Sequence, residues 1–280
     1  MYRHQSIKSK INNLSKTNNL NPQEVMNMFF FERFLERVSK TEYANNFIIK
    51  GGFLISSFSN IAQRTTMDLD ASIEYLDFEK SNVEKIIKEI SEAKIDDGVE
   101  FEFRNIGYIR DNSFYGGFRI SLLAKLDKVN NVIKMDISTG DKITPKEQLI
   151  AYKCIFEDKS IGVQAYPIET VLAEKIDAIF YWLEGTTRMR DYYDIYLLYS
   201  CKKDEINFDI LKQAIINTSA QRNNFEYIKD SRQGLERIKN PKYNMKEKWL
   251  KYQITNPYTK SVNFDDVIKT LELFIDKLGF

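Results

Sequence analysis

Residues 50–73, KGGFLISSFSNIAQRTTMDLDASI, decide the reading of this chain. The apolar run Phe47-Ile48-Ile49 leads into Gly51-Gly52, and residues 53–60 can start a helix directly after the two glycines. Met67 to Ile73 then reads as a strand. With a strand's period of two, Asp68 and Asp70 project from one face and Leu69 from the other, into a core. Two adjacent carboxylates repel, so a positive group must sit between them. A hard divalent cation such as Mg2+ suits oxygen ligands and also binds phosphates. The diglycine fits the same chemistry. Glycine lets backbone N–H groups approach a phosphate closely, and the helix start behind it adds a favourable dipole.

Working outward, more strands follow. Phe101 and Phe103 alternate with Glu102 and Arg104, and Phe118, Ile120 and Leu122 alternate with Arg119 and Ser121. Residues 132–137, VIKMDI, place Ile133, Met135 and Ile137 on one face and Asp136 on the other. Asp136 is thus a third carboxylate on a polar strand face. Three carboxylates can hold two ions about 3.5–4 Å apart, the arrangement used for in-line displacement at phosphorus. Residues 24–38, after the start signal Asn21-Pro22, and residues 79–93 read as helices. The first half is therefore a mixed αβ domain with a sheet of about four or five strands. Past residue 165 the pattern is helical, over 168–183, 188–200, 208–217, 223–238 and 264–278. The fold class is α+β, an α/β domain over 1–155 followed by a helical domain over 156–280.

Composition removes other classes. In 280 residues the formal net charge is +1, so any nucleic-acid surface must come from local clustering. Cys154 and Cys201 are too few and too far apart for a disulfide scaffold or a cysteine-rich zinc site. The one histidine, His4, lies near the terminus. Histidine-based triads, Cys-His pairs and HExxH sites would all have to use it, so carboxylates, lysines and arginines must do any chemistry. No stretch approaches the ~18 apolar residues of a membrane span, and the N-terminus lacks a signal peptide's apolar core. Together these point to the cytoplasm and to no membrane.

The quoted segment resembles the first motif of the DNA polymerase β-like nucleotidyltransferase superfamily. More narrowly it is similar to the AbiEii-type toxins of bacterial abortive-infection toxin–antitoxin systems, relatives of the MenT toxins of mycobacteria. That pattern has Gly-Gly, then Arg-x-[Thr/Ser]-x-Asp-[Leu/Ile]-Asp, matched by Gly51, Gly52, Arg64, Thr66, Asp68, Leu69 and Asp70. Many superfamily members have Gly-Ser in place of Gly51-Gly52 and a shorter gap to the aspartates. The family also carries Glu-Lys on a helix, then Arg-x-[Lys/Arg]-Asp-x-x-Asp. Here these are Glu174-Lys175 and Arg188-Met189-Arg190-Asp191-Tyr192-Tyr193-Asp194. The resemblance covers residues 47–200.

It implies a polymerase β-like fold and a helical domain that completes the active-site cleft. It also implies an NTP substrate and two Mg2+ ions on Asp68, Asp70 and Asp136. The β- and γ-phosphates would be cradled by Gly51, Gly52 and Arg64, with Lys175 neutralising the triphosphate or protonating the leaving pyrophosphate, and Asp191 holding either Lys175 or the base and ribose in place. The acceptor it implies is the 3′ end of RNA, tRNA in particular, with translation blocked as the result and a cognate antitoxin in opposition.

The residues alone leave more open. Lys175 falls on the apolar stripe of Leu172, Ile176 and Ile179, so it either faces a cleft or forms a salt bridge with Asp191. Residues 229–251 hold eight Lys or Arg against three acids, with Tyr243 and Trp249 interleaved. Those two rings are candidates to stack on RNA bases, and the acid-free stretch 3–16 with Arg3, Lys8, Lys10 and Lys16 is a second candidate surface. Transfer to a protein side chain, or nucleotide binding without catalysis as a regulator, are the other readings of the same residues.

Overall fold

A computed structural model describes residues 4–59, 61–109 and 116–280, residues 4–6 by backbone alone. The chain divides into two compact units, residues 1–141 with 147–166, and residues 142–146 with 167–280.

In the first unit, helices α1 (His4–Asn18) and α2 (Pro22–Val38) precede strand β1 (Phe47–Lys50). Helix α3 (Gly51–Phe58), β2 (Asp68–Ile73) and α4 (Lys80–Glu92) follow, then β3 (Val99–Tyr108), β4 (Phe118–Leu126), β5 (Val129–Ser138), β6 (Gln148–Lys153) and β7 (Ser160–Ala165). Among the described residues these strands form one seven-stranded sheet in the order β3-β4-β5-β2-β1-β7-β6. The pairs β2–β5 and β1–β7 are parallel and the rest antiparallel.

Hydrophobic alternation fixes which face is buried. Ile120, Leu122 and Ala124 on β4, Ile133, Met135 and Ile137 on β5, and Leu69 and Ala71 on β2 are all fully buried. The intervening residues Arg119 and Lys134 are exposed, and Asp68, Asp70 and Asp136 are half-buried. Helix α2 supplies much of the core opposite. Asn21 caps it by accepting from the Gln23 N–H at 2.9 Å, with Pro22 in its first turn, and Phe34 sits edge-on to Phe47 and Phe101. Its Asn27 donates to the Met67 carbonyl at 2.9 Å and accepts from Asn131 at 3.0 Å, pinning the entry to β2.

The helices 24–38 and 79–93 and the strands at 47–49, 67–73, 99–106, 118–122 and 132–137 are present as expected. The sheet is wider than four or five strands, because β6 and β7 are short and lie where the domain boundary was expected. Residues 160–165, assigned from sequence to the second domain, pair with β1 and belong to the sheet. Helix α1 has only a faint sequence signal; its buried Ile7, Ile11 and Ser15 share one stripe in an otherwise polar segment.

The second unit holds α5 (Ile168–Trp182), α6 (Met189–Lys202), α7 (Phe208–Gln221), α8 (Phe225–Lys229), α9 (Ser231–Lys239), α10 (Met245–Thr255) and α11 (Phe264–Leu278). The single helix expected over 223–238 is two, interrupted at Asp230, and α10 lies in the basic run, outside the helices expected from sequence. No helix among the described residues is long and apolar enough to cross a membrane.

Candidate active site

The sheet register assembles one row of charge. Lys50 on β1 stands opposite Asp70 on β2, Asp70 opposite Asp136 on β5, and Asp136 opposite Arg119 on β4. Directly opposed residues share a face, so the row runs cation, carboxylate, carboxylate, cation across four strands. Asp68, two residues before Asp70, lies on the same face opposite Lys134. The sheet thus brings together the three carboxylates predicted from sequence. Arg119 holds Asp136 through both oxygens, Nε to Oδ1 at 2.7 Å and Nη2 to Oδ2 at 2.6 Å. Its pKa is raised by that hydrogen bond and charge, with smaller contributions from Asp68 and Asp70.

Lys50 points to the next rung. Its ammonium donates to Ser138 Oγ at 2.8 Å and pairs with Asp141 at 2.5 Å, and Tyr166 donates to the same carboxylate at 2.8 Å. Burial pushes the Asp141 carboxyl up, but Lys50 and the three hydrogen bonds outweigh it and hold the group below the usual carboxylate range.

The glycines fit against these side chains. Gly51 has φ +63, and a Cβ placed on it would lie 2.0 Å from Asp70 Oδ2. A Cβ on Gly52 would lie 2.8 Å from Arg64 Nη2 and 3.1 Å from Thr66 Oγ1. The turn therefore presses its backbone onto Asp70 on one side and Arg64 on the other. Arg64 is 1% exposed and its Nη1 donates to the Thr65 carbonyl. It packs against the diglycine turn, the same turn on which the sequence expectation placed the phosphates.

In the second unit, Lys175 on α5 bonds Asp191 Oδ1 at 2.6 Å and Asp194 Oδ2 at 3.1 Å, both on α6. Arg188 Nε bonds the other Asp191 oxygen at 2.6 Å. Burial raises the Asp191 carboxyl, but the charges of Lys175 and Arg188 overcome it and leave the pKa lowered. The interhelical salt bridge that periodicity allows is thus present.

Residues 33–270 match the family model described as nucleotidyl transferase AbiEii toxin, type IV TA system. The chain belongs to this AbiEii family. Two crystal structures from Helicobacter pylori have the same fold. One, of a protein provisionally described as a nucleotidyltransferase, has a TM-score of 0.53 at 16% identity, over 93% of this chain and 98% of that one. The other, JHP933, also has a TM-score of 0.53, at 17% identity over 93% of this chain and 95% of that one. At these identities the likeness concerns the fold alone. No curated protein sequence matches the chain significantly.

Within the AbiEii frame the donor set can be tested against a metal. Among the described residues no group of three or more His, Cys, Asp or Glu stands in a ready-made metal cage. The three aspartates nevertheless offer only oxygen donors, on adjoining strands and one face, the chemistry that suits Mg2+. A guanidinium already stands against Asp136 as a positive charge. In donor chemistry, though not in a formed cage, the residues suit the ion.

Sequence reasoning placed Arg119 on a polar face but could not pair it with Asp136, because register is not written in a single strand. The RNA-stacking expectation for Trp249 is overturned. This ring is 2% exposed, its Nε1 donates to the Val262 carbonyl at 3.1 Å, and it packs against Phe264 in the core of the second unit. The surrounding basic run is largely matched internally. Arg232 pairs with Asp276, Arg237 with Glu184, Lys239 with Glu272, Lys246 with Asp265 and Lys251 with Glu247. Tyr243 is half-buried and Arg3 lies outside the described residues. The exposed aromatics of this unit are instead Tyr181, Trp182 and Tyr227, with Tyr181 edge-on to both others at 5.0 and 5.5 Å.

Proposed function

We propose that this AbiEii-family protein transfers nucleotides from an NTP to the 3′ end of RNA, tRNA foremost. Blocking the acceptor end would stop aminoacylation and with it translation, and a cognate antitoxin would oppose the toxin. The observation that carries the reading is the rung placing Asp70 opposite Asp136, with Asp68 on the same face and the Gly51-Gly52 turn against Asp70.

Asp68, Asp70 and Asp136 would hold Mg2+, which when bound neutralises phosphate charge and makes a hydroxyl more acidic. The acceptor hydroxyl oxygen bonds to the α-phosphorus in line, and the bond from that phosphorus to the bridging oxygen breaks. Pyrophosphate leaves with the bonding pair, and the hydroxyl proton passes to Asp136. The Gly51-Gly52 backbone, held by Arg64 beneath, receives phosphate oxygens at the start of α3. Lys175 and Asp191 are assigned to the reaction on the family pattern, Lys175 as the cation for the triphosphate. The exposed rings of Tyr181, Trp182 and Tyr227 suit unstacked bases, since base–aromatic stacking needs no particular sequence. Most of the rate would come from positioning and charge stabilisation.

The experiment is incubation of the protein with Mg2+, total tRNA and each α-phosphate-radiolabelled NTP, beside Asp70→Asn and Asp136→Asn. Label on tRNA from wild type and none from either variant is the expected result. Label on protein and none on RNA would replace the RNA acceptor by a protein one. NTP binding with no transfer to either would leave a nucleotide-binding regulator.

A further inference from the structure

Arg119 stands on the carboxylate face without a part in the reaction just described. Its side chain is half exposed, while that of Asp136 is 20% exposed. Both polar edges of the carboxylate are taken, in the two-pronged geometry that guanidinium and carboxylate share. The fork takes one lone pair on each oxygen, so a metal that reaches this carboxylate meets the guanidinium's charge there and competes with it for the oxygens. Neither neighbour in the rung competes for Arg119. On its β5 side stands Asp136 itself, and on its β3 side the opposed residue is Gly107, where an added Cβ would meet no atom of the described residues within 4 Å. The residue opposite Asp70 on the far side, Lys50, is turned to Asp141 and Ser138.

We infer that Arg119 is a built-in counter-cation of the carboxylate trio, holding Asp136 in the metal-free protein and yielding it to a divalent cation. The inference rests on the metal-dependent reading above. It has two consequences. Asp136 keeps a positive partner while no metal is present, and the same charge also acts on Asp68 and Asp70. Metal alone binds weakly, because it must first break a two-pronged ion pair and then sit near a displaced positive charge.

The test is a Mn2+ titration, followed by the EPR signal of the free ion, on full-length wild type, Arg119→Gln, Arg119→Lys and Asp136→Asn. Arg119→Gln should bind Mn2+ about tenfold more tightly than wild type, the scale of one unit charge removed from within a few ångströms of a divalent ion near the surface. Arg119→Lys, which keeps the charge but not the fork, should fall between. Arg119→Gln added to Asp136→Asn should give no such gain. Equal or weaker affinity in Arg119→Gln would overturn the inference. Should the variants fold poorly, wild type alone suffices. Its Arg119 Nε–H resonance, assigned by through-bond correlation to the Arg119 backbone, should move when Mg2+ saturates the protein, and its staying fixed would count equally against displacement. Mn2+ binding equally to wild type and Arg119→Gln sinks only the counter-cation role. Mn2+ binding to neither, with or without NTP, sinks that role and the metal-dependent reading together.

Discussion

Gly51→Ala would show how closely the diglycine turn and the carboxylate are coupled. Gly51 has φ +63, a conformation that costs a residue with a side chain roughly 1–2 kcal/mol. The new methyl carbon would also fall 2.0 Å from Asp70 Oδ2, 2.7 Å from Cγ and 2.8 Å from Cβ. Because Cβ is fixed by the backbone of β2, no rotation of the Asp70 side chain clears all three contacts. Either strand or turn must move, at about 1–3 kcal/mol as for other overpacked sites. The total expected loss is about 2–5 kcal/mol. The two parts separate in an Asp70→Gly background, where the clash is gone and only the backbone strain remains. Four proteins suffice: wild type, Gly51→Ala, Asp70→Gly and the double variant, each unfolded in urea and followed by circular dichroism. The coupling should be about 1–3 kcal/mol, well outside the ~0.5 kcal/mol expected of independent sites. An equal cost of Gly51→Ala in both backgrounds would refute the contact and with it the positioning of Asp70 by the turn.

Three further outcomes follow from the same structure. Glu32, 1% exposed on α2, has its carboxyl raised from 4.5 to about 8, chiefly by burial. The unfolded chain therefore loses this proton first, and stability falls as pH rises from 4.5 to about 8. Glu32→Gln should remove that slope and gain on the order of a few kcal/mol over wild type at the alkaline end, read as the thermal midpoint against pH; an unchanged slope would count against it. Lys175→Met leaves Asp191 and Asp194, 3% and 0% exposed, with one cation fewer, at a cost of about 3–5 kcal/mol near neutrality. Because the folded pKa of Asp191 is lowered, its contribution is present above the unfolded value of about 3.9 and is lost as pH falls below it. The deficit of the variant should shrink in acid, and a deficit constant with pH would argue against the ion pair. Trp249→Ala should cost about 3–5 kcal/mol as a core truncation. Trp182→Ala, at an exposed position, should leave stability nearly unchanged and raise the KM for tRNA without moving the KM for NTP; loss of NTP affinity instead would remove the stacking role.

The parts of this fold that could be read from one sequence are those whose signal is local. Asp68 and Asp70 announce themselves because Leu69 lies between them, and Val83, Ile86, Ile87 and Ile90 mark α4 by their spacing alone. Asn21-Pro22 marks the start of α2 because a side-chain cap and a fixed φ act within one turn. What escapes is non-local. Strand β7 is an ordinary six-residue run whose place beside β1 rests on a parallel pairing more than a hundred residues away in sequence. Arg64 looks from sequence like a free cation near the glycines, and only the packing shows it underneath them. Trp249 misleads because an aromatic in a basic run reads as a stacking surface. The neighbours that bury it, Tyr193 and Phe264, are on other helices.

The same distinction explains how the site comes to exist. A strand slipped by one residue turns every side chain to the other face, so the carboxylates are only as well placed as the register. That register is held by residues with no chemistry of their own. Leu69 pairs with Met135 and Ala71 with Ile137 across β2–β5, all of them fully buried. Each lies one position from an aspartate, so a slip of one residue would turn Asp68, Asp70 or Asp136 into the core. Burying an unpaired carboxylate costs far more than a lost apolar contact. The hydrophobic pattern and the charge pattern therefore exclude the same one-residue slips, and the core beneath fixes which face carries the row from Lys50 to Arg119.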